Sequence, residues 1–122
     1  MSKNILLHIV FALLITLPVV AKSLPDKPFT VVIDAGHGGK DPGAIGRIAL
    51  EKNLNLDVAL LTGKMIKEQF PDVKVVYTRQ TDIFLPLQKR ADIVNSNNAD
   101  LFICIHTNSS ESKAAEGVET FI

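Results

Sequence analysis

Three short apolar segments constrain the fold of this chain more than any other feature. They cover residues 29–34, 73–78 and 101–106, and valine or isoleucine is present in each. Short, nearly continuous apolar runs of this kind are typical of parallel strands that are buried on both faces. A fourth segment, residues 117–122, has a similar pattern. We therefore expect four strands.

The intervals between the first three strands predict two helices. Residues 53–70 form the first, which Pro71 ends, and the second starts at Pro86. Apolar residues spaced at three and four positions predict the buried faces of both helices. In the first helix this face consists of Leu54, Val58, Leu61 and Met65, and in the second of Leu87, Ala91 and Val94.

The resulting order is β-α-β-α-β-β, which predicts an α/β fold. We expect a mostly parallel, twisted sheet with helices on both faces. Because the chain stops inside the last predicted strand, we also expect the fold to be incomplete at its C-terminus. The 13 basic and 13 acidic residues leave no basic surplus, which argues against a nucleic-acid partner. A single cysteine excludes an internal disulfide and a cysteine-rich metal cluster.

Residues 1–23 are predicted to be a signal peptide. Lys3 precedes an apolar run over residues 5–20, which is shorter than the roughly 20 residues that a membrane-spanning helix needs. Small residues follow, so that cleavage is expected after Ala21 or Ser23. This reading predicts export to the periplasm or cell wall without stable membrane insertion after cleavage. An uncleaved anchor and a core helix are the alternatives.

Three residues of metal-binding type are predicted to meet at one edge of the sheet. His37 follows the first strand, Glu51 precedes the first helix, and His106 ends the third strand. The carboxyl ends of parallel strands share one edge, where α/β proteins place their sites. Two histidines and one glutamate form a known catalytic zinc set. Taken singly, Glu51 could instead favour the helix dipole, and either histidine could have a purely structural role.

Several neighbouring residues have two interpretations. Asp34 either orients a ligating histidine or is an ordinary carboxylate at a strand end. Arg79, Asp82 and Arg90 either form a polar network behind the site or are surface charges. Cys104 is predicted to be a small buried hydrophobic residue. The histidine two residues later lies roughly 6.5–7 Å away along the strand, which is too far for a thiol–imidazole pair.

Four motifs occur in order along the chain. The first is residues 32–44 (VIDAGHGGKDPGA), and the second is Glu51-Lys52. The third is a middle block with Tyr77-Thr78-Arg79, Asp82, Leu87 and Arg90. The fourth is residues 101–108 (LFICIHTN), and the segment 117–121 (GVETF) follows it. Together they resemble the zinc-dependent N-acetylmuramoyl-L-alanine amidases of the type 3 family. The resemblance implies that His37, Glu51 and His106 bind Zn²⁺. It adds Asn108, in the last motif, as a candidate residue beside the ligands. Residues 29–122 would be the N-terminal portion of the catalytic domain, after a short linker at 24–28.

The resemblance also implies an activity. It is cleavage of the amide bond between N-acetylmuramic acid and L-alanine in peptidoglycan, which serves cell-wall remodelling or daughter-cell separation. An activator protein is a further implied partner. In the family, a further helical segment and a strand follow, and they carry a glutamate that acts as the general base. That glutamate has no counterpart here, since Glu111, Glu116 and Glu119 belong to earlier motifs.

The sequence therefore supports an exported zinc amidase as the first hypothesis. The alternative is a cell-wall binding fragment that is catalytically incomplete because it lacks the general-base glutamate. A third possibility is a structural α/β fragment that binds no metal. Binding of a metal ion distinguishes the first hypothesis from the third. Release of peptide from the cell wall distinguishes the first hypothesis from the second.

The signal peptide generates the first testable prediction. Protein recovered from the cell envelope should begin at Lys22 or Leu24, because small residues at Ala21 and Ser23 suit the signal peptidase. Intact-mass spectrometry of the purified protein measures this directly. A chain that still begins at Met1 and stays with the membranes would support an uncleaved anchor.

Overall fold

The structure is a computed structural model, and it describes residues 27–108, 114 and 117–121. The predicted signal peptide at 1–23 lies outside these residues. Of the predicted linker at 24–28, only Lys27 and Pro28 are described. Lys27 is anchored by an ion pair between its Nζ and Asp100 Oδ1 at 2.9 Å. Within the described part of the chain, every helix is too short or too polar to cross a membrane.

The described residues form three strands and two helices in alternation. The elements are β1 (Thr30–Ala35), α1 (Glu51–Gln69), β2 (Lys74–Tyr77), α2 (Leu87–Ser96) and β3 (Leu101–Ile105). All strand pairs are parallel, and the order across the sheet is β2-β1-β3. The α/β fold class predicted from the sequence is thus confirmed. The loop between β1 and α1 is the predicted glycine-rich segment.

Strand β1 is the centre of the molecule, and all six of its residues are buried. Val31, Ile33 and Ala35 point to one face, where they pack with Ala59 of α1. The alternate residues point to the opposite face, as the period of two in a strand requires. There Asp34 forms an ion pair with Arg90 of α2. The two helices therefore lie on opposite faces of the sheet, as expected.

The predicted buried face of α1 is wrong. Leu54, Val58, Leu61 and Met65 are between 41% and 58% exposed. The helix instead packs on the sheet through Glu51, Asn55, Ala59 and Gly63, which follow one another at four-residue intervals. The physical reason is a close approach to the sheet, because a Cβ atom at Gly63 would overlap the ring of Tyr77. Small and polar residues occupy the centre of this face, and the partly buried Leu56 and Ile66 pack against the core beside them.

Four further expectations need correction. This strand lies at the edge of the described sheet, so that Leu101 and Phe102 are 45% and 44% exposed where burial was predicted. Cys104 is likewise exposed and is not a buried hydrophobic residue. Leu87, predicted to lie on the buried face of α2, is 84% exposed. The fourth strand is not formed in residues 117–121, which are irregular and exposed.

Candidate metal centre

The fold brings His37, Glu51 and His106 together. His37 lies in the loop just after β1, Glu51 is the first residue of α1, and His106 follows β3 directly. Each side chain offers one ligand atom, and these atoms all lie within 4.8 Å of one another. The parallel register explains the meeting, because β1 and β3 end side by side with Ala35 opposite Ile105.

The distances within this trio suit a metal ion. His37 Nε2 lies 3.2 Å from Glu51 Oε2, and His106 Nδ1 lies 3.1 Å from Glu51 Oε1. Ligands at the usual zinc bond lengths in a tetrahedral site are about 3.3 Å apart. The two imidazole rings meet edge to face, with centroids 4.9 Å apart. Two imidazoles and a carboxylate at this spacing fit a zinc ion that has an open position for substrate or water.

The orientation of His37 is set by Asp41. Its Nδ1 lies 2.9 Å from Asp41 Oδ2. In the tautomer that carries its proton on Nδ1, His37 donates a hydrogen bond to this carboxylate and keeps the lone pair of Nε2 for a metal ion. The same hydrogen bond, followed by one from the backbone N–H of Gly43, lowers the pKa of Asp41. The ligand nitrogen of His37 therefore faces Glu51.

Glu51 is only 6% exposed, yet its carboxyl group is held ionised. Burial raises its pKa, but several hydrogen bonds oppose this effect and lower the pKa to about 2. The largest contributions come from the backbone N–H groups of Ala44 and Thr107, at 2.8 Å and 3.0 Å. Asn55 and His106 contribute less. A buried carboxylate that stays charged is the form that binds a cation.

Two glycines leave the space that the ligands occupy. A Cβ atom at Gly43 would lie 2.6 Å from both Glu51 Oε2 and His37 Cδ2. One at Gly36 would overlap the ring of His106. His37 itself has a φ of 61°, an uncommon conformation for a residue other than glycine. The loop therefore brings its backbone unusually close to the site.

Two buried arginines hold this backbone in place. Arg79 donates from Nε to the carbonyl of Ala35 and from Nη2 to that of Gly36, both at 2.9 Å. Arg90 donates from Nη1 to the same carbonyl of Ala35 at 2.9 Å and from Nη2 to that of His37 at 2.8 Å. Burial, and then the nearby charge of Arg90, lower the pKa of Arg79. Three consecutive carbonyls that lead into the site are thus fixed.

Asp34 takes neither of its two predicted roles. It is 3% exposed and forms no hydrogen bond with His37, Glu51 or His106. Its carboxylate accepts hydrogen bonds from Arg90, Thr78 and the thiol of Cys104. Its influence on the site therefore passes through Arg90. Desolvation, followed by the hydrogen bond to Asp34, raises the pKa of Cys104 to about 11. The thiol stays protonated and, as expected, forms no pair with a histidine.

The remaining candidates differ in how deeply they are buried. Arg79 and Arg90 are 2% and 6% exposed, so the interpretation as surface charges is wrong for them. Asp82 is about half exposed and accepts hydrogen bonds from the backbone N–H of Gly39 at 2.7 Å and from Lys52 Nζ at 2.6 Å. It ties the glycine-rich loop to α1. Asn108 is exposed and makes no hydrogen bond within the described residues.

Two residues whose side chains contact the candidate ligands were not predicted from the sequence. Asp41 lies four residues after His37 in a glycine-rich loop, where no periodic pattern marks it. Asn55 lies four residues after Glu51 and is fully buried. The four-residue spacing places Glu51 and Asn55 on the same face of α1. Such a polar pair on one helix face is the sequence signal from which Asn55 could be predicted.

The chain is similar to known proteins in sequence and in fold. The family model for N-acetylmuramoyl-L-alanine amidase matches residues 31–122. The amidase AmiC of Escherichia coli O6:H1 is 36% identical over 105 residues, which cover 85% of this chain and 25% of that protein. The catalytic domain of CwlV, an amidase from Bacillus (Paenibacillus) polymyxa var. colistinus, is 45% identical with a TM-score of 0.64. That match covers 70% of this chain and 49% of the solved one.

A further solved structure includes a second protein. It is the CwlD amidase from Clostridioides difficile in complex with the GerS lipoprotein, with a TM-score of 0.64 and 31% identity. The match covers 70% of this chain and 51% of that one. The chain spans less than half the length of the curated relatives that it matches.

The buried ion pair behind the site generates the second prediction. Replacement of Arg90 by methionine should lower the free energy of unfolding by about 3–5 kcal/mol, because it leaves Asp34 as an uncompensated buried charge. Urea denaturation measures the loss. The matched control is Lys64→Met, which breaks the exposed pair with Glu68 and should change stability by less than about 0.5 kcal/mol. Equal effects of the two substitutions would contradict this assignment.

Proposed function

The chain belongs to the N-acetylmuramoyl-L-alanine amidase family, and on that premise we propose that it forms the zinc-binding part of an exported peptidoglycan hydrolase. The bond cleaved would be the amide between N-acetylmuramic acid and L-alanine. The observation that supports this most directly is the meeting of His37, Glu51 and His106 at the strand ends, within a family model that covers residues 31–122.

The proposed chemistry is metal-assisted amide hydrolysis. When bound, zinc supplies Lewis acidity toward the scissile carbonyl oxygen and the attacking water. His37, Glu51 and His106 would hold the ion, and Glu51 would contribute the negative charge that a divalent cation requires. Asp41 keeps His37 in the tautomer that can ligate. The exposure of the His106 side chain, 43%, leaves one side of the centre open to a substrate.

Proton transfer is the step that the described residues do not supply. Glu51 and Asp41 are the carboxylates that contact the ligands, and each is already engaged with a histidine. The resemblance assigns the general base of the family to a glutamate without a counterpart in the motifs of this chain. We therefore propose that the chain provides metal binding and polarisation, and that base catalysis needs a further residue.

The site of action and the partners follow from the same premise. We propose that the signal peptide directs the chain to the periplasm or cell wall, where peptidoglycan is accessible. The complex of the CwlD amidase with a lipoprotein shows that one member of the family associates with a second protein. An activator of this chain is a proposal of the same kind.

Metal binding provides the third prediction. The purified chain should bind about one zinc ion, and His37→Ala, Glu51→Gln and His106→Ala should each weaken binding by more than about 100-fold. Loss of a ligand should exceed the 10–100-fold effect that is typical of the groups behind the ligands. Competition with a chromophoric chelator measures the affinity. Glu68→Gln, on the exposed side of α1, is the control and should bind like the wild type. A folded wild-type chain that takes up no zinc would refute the site.

Activity provides the fourth prediction. The 122-residue chain should release stem peptides from purified sacculi at a rate about 10²–10⁴-fold below that of a relative with a complete catalytic domain, because a missing general base costs that much. Mass spectrometry of the soluble products detects peptides with a free L-alanine amine. Chelator-treated protein serves as the blank. Comparable turnover would show that a carboxylate of this chain acts as the base, and Glu116 and Glu119 would be tested first.

The alternative function is binding without cleavage. The geometry of the metal centre is compatible with it, because ligation of the ion and contact with a carbonyl oxygen need no base. Co-sedimentation of the chain with sacculi, without release of peptide from them, would favour this alternative. Loss of co-sedimentation in His37→Ala would then place the metal centre in the binding site.

A further inference from the structure

A single buried amide connects the three segments that carry the ligands. Asn55 Nδ2 lies 3.3 Å from the carbonyl oxygen of Gly36 and 3.4 Å from Glu51 Oε1. Asn55 Oδ1 accepts a hydrogen bond from the hydroxyl of Thr107 at 2.6 Å. Gly36 precedes His37, and Thr107 follows His106. Each ligand or its neighbour in the chain thus contacts the same side chain.

Thr107 forms a second link in this arrangement. Its backbone N–H donates to Glu51 Oε1 at 3.0 Å, while its hydroxyl donates to Asn55. Thr107 therefore connects the end of β3 to both polar residues at the start of α1. Because Thr107 is exposed, its substitution removes no apolar side chain from the buried core.

Both ends of the Asn55 amide are in use, and this determines its orientation. The NH₂ group points to two acceptors, and the oxygen points to a donor. A rotation by 180° would place the amide oxygen against two acceptors, the carbonyl oxygen of Gly36 and Glu51 Oε1. Asn55 is fully buried, so water cannot compensate for a misplaced contact. The amide therefore has one favourable position, and it is fixed relative to all three segments.

From this geometry we propose that Asn55 is a positioning residue that sets the separation of the three metal ligands, partly through Thr107. The inference rests on the proposed metal site. Asn55 would not touch the ion itself. It would hold the loop before His37, the carboxylate of Glu51 and the segment after His106 at the spacing that a small cation requires.

A purely structural role for Asn55 makes a different prediction. In that case its replacement would lower stability, but the folded variant would bind metal with unchanged affinity. The carbonyl oxygen of Gly36, which Asn55 contacts, also accepts a hydrogen bond from Arg79 Nη2 at 2.9 Å. Asn55→Ala therefore leaves this carbonyl paired, and we expect the variant to fold.

The test measures zinc affinity by chelator competition for the full chain and its variants. Asn55→Ala should bind Zn²⁺ about 10–100-fold more weakly than the wild type, as is typical when a group that orients ligands is lost. The absorption bands of Co²⁺, used as a substitute ion, should also change shape, because they report coordination geometry. The matched control is Asn53→Ala on the exposed side of the same helix, which should leave both measurements unchanged.

A pair of substitutions at Thr107 tests the inference from the other side of the contact. Thr107→Val removes the hydroxyl and should weaken zinc binding by about threefold to tenfold, the equivalent of one hydrogen bond. Thr107→Ser keeps the hydroxyl and should restore the wild-type affinity. Asn55→Ala combined with Thr107→Val should be no weaker than Asn55→Ala alone, because both remove the same contact.

The outcomes separate the possible failures. If the wild type binds no zinc, the proposed function fails and this inference fails with it. If the wild type binds zinc but folded Asn55→Ala and Thr107→Val bind it within about twofold of the wild type, with unchanged Co²⁺ spectra, only the inference is overturned. If Asn55→Ala does not fold, the comparison of Thr107→Val with Thr107→Ser decides.

Discussion

The ionised carboxylate of Glu51 is the interaction on which the rest of the site depends. It is buried at the start of α1, and its two oxygens face one histidine each. A buried charge without partners would be costly, yet two backbone N–H groups and the amide of Asn55 offset that cost. The same contacts join the loop before α1 to the segment after β3. The candidate metal centre and the closure of the strand ends are thus one network.

Two buried arginines support the loop that carries His37. Arg79 and Arg90 fix the carbonyls of the loop that carries His37, and Asp34 balances the charge of Arg90. A guanidinium suits this task because its five donors lie in a fixed plane and can serve several carbonyls at once. The loop can therefore hold His37 at a positive φ without a regular helix or strand around it.

The sequence predicted three strands, two helices and the meeting of His37, Glu51 and His106, because these follow from local patterns and parallel topology. The fourth predicted strand is not formed in residues 117–121. It failed where a residue's environment depends on the distance between elements. Leu54 and Val58 have the spacing of a buried helix face, but α1 approaches the sheet through Ala59 and Gly63. The burial of Arg79 was equally hidden, since its partners are backbone carbonyls distant in sequence. The contact of Asp41 with His37 depends on the conformation of the glycine-rich loop, which no periodic sequence pattern predicts.

The close packing of α1 on the sheet explains why its buried face was predicted wrongly and why Glu51 lies at the strand ends. With no side chain at Gly63, the helix lies against Tyr77, and Ala59 contacts the core of β1. The face that packs there begins with Glu51 and Asn55, so the same close approach brings both polar residues to the strand ends. A large apolar residue at either small position would hold the helix away and widen the distance from Glu51 to the histidines. The exposed stripe of apolar residues on α1 is therefore a consequence of using the opposite face for the site.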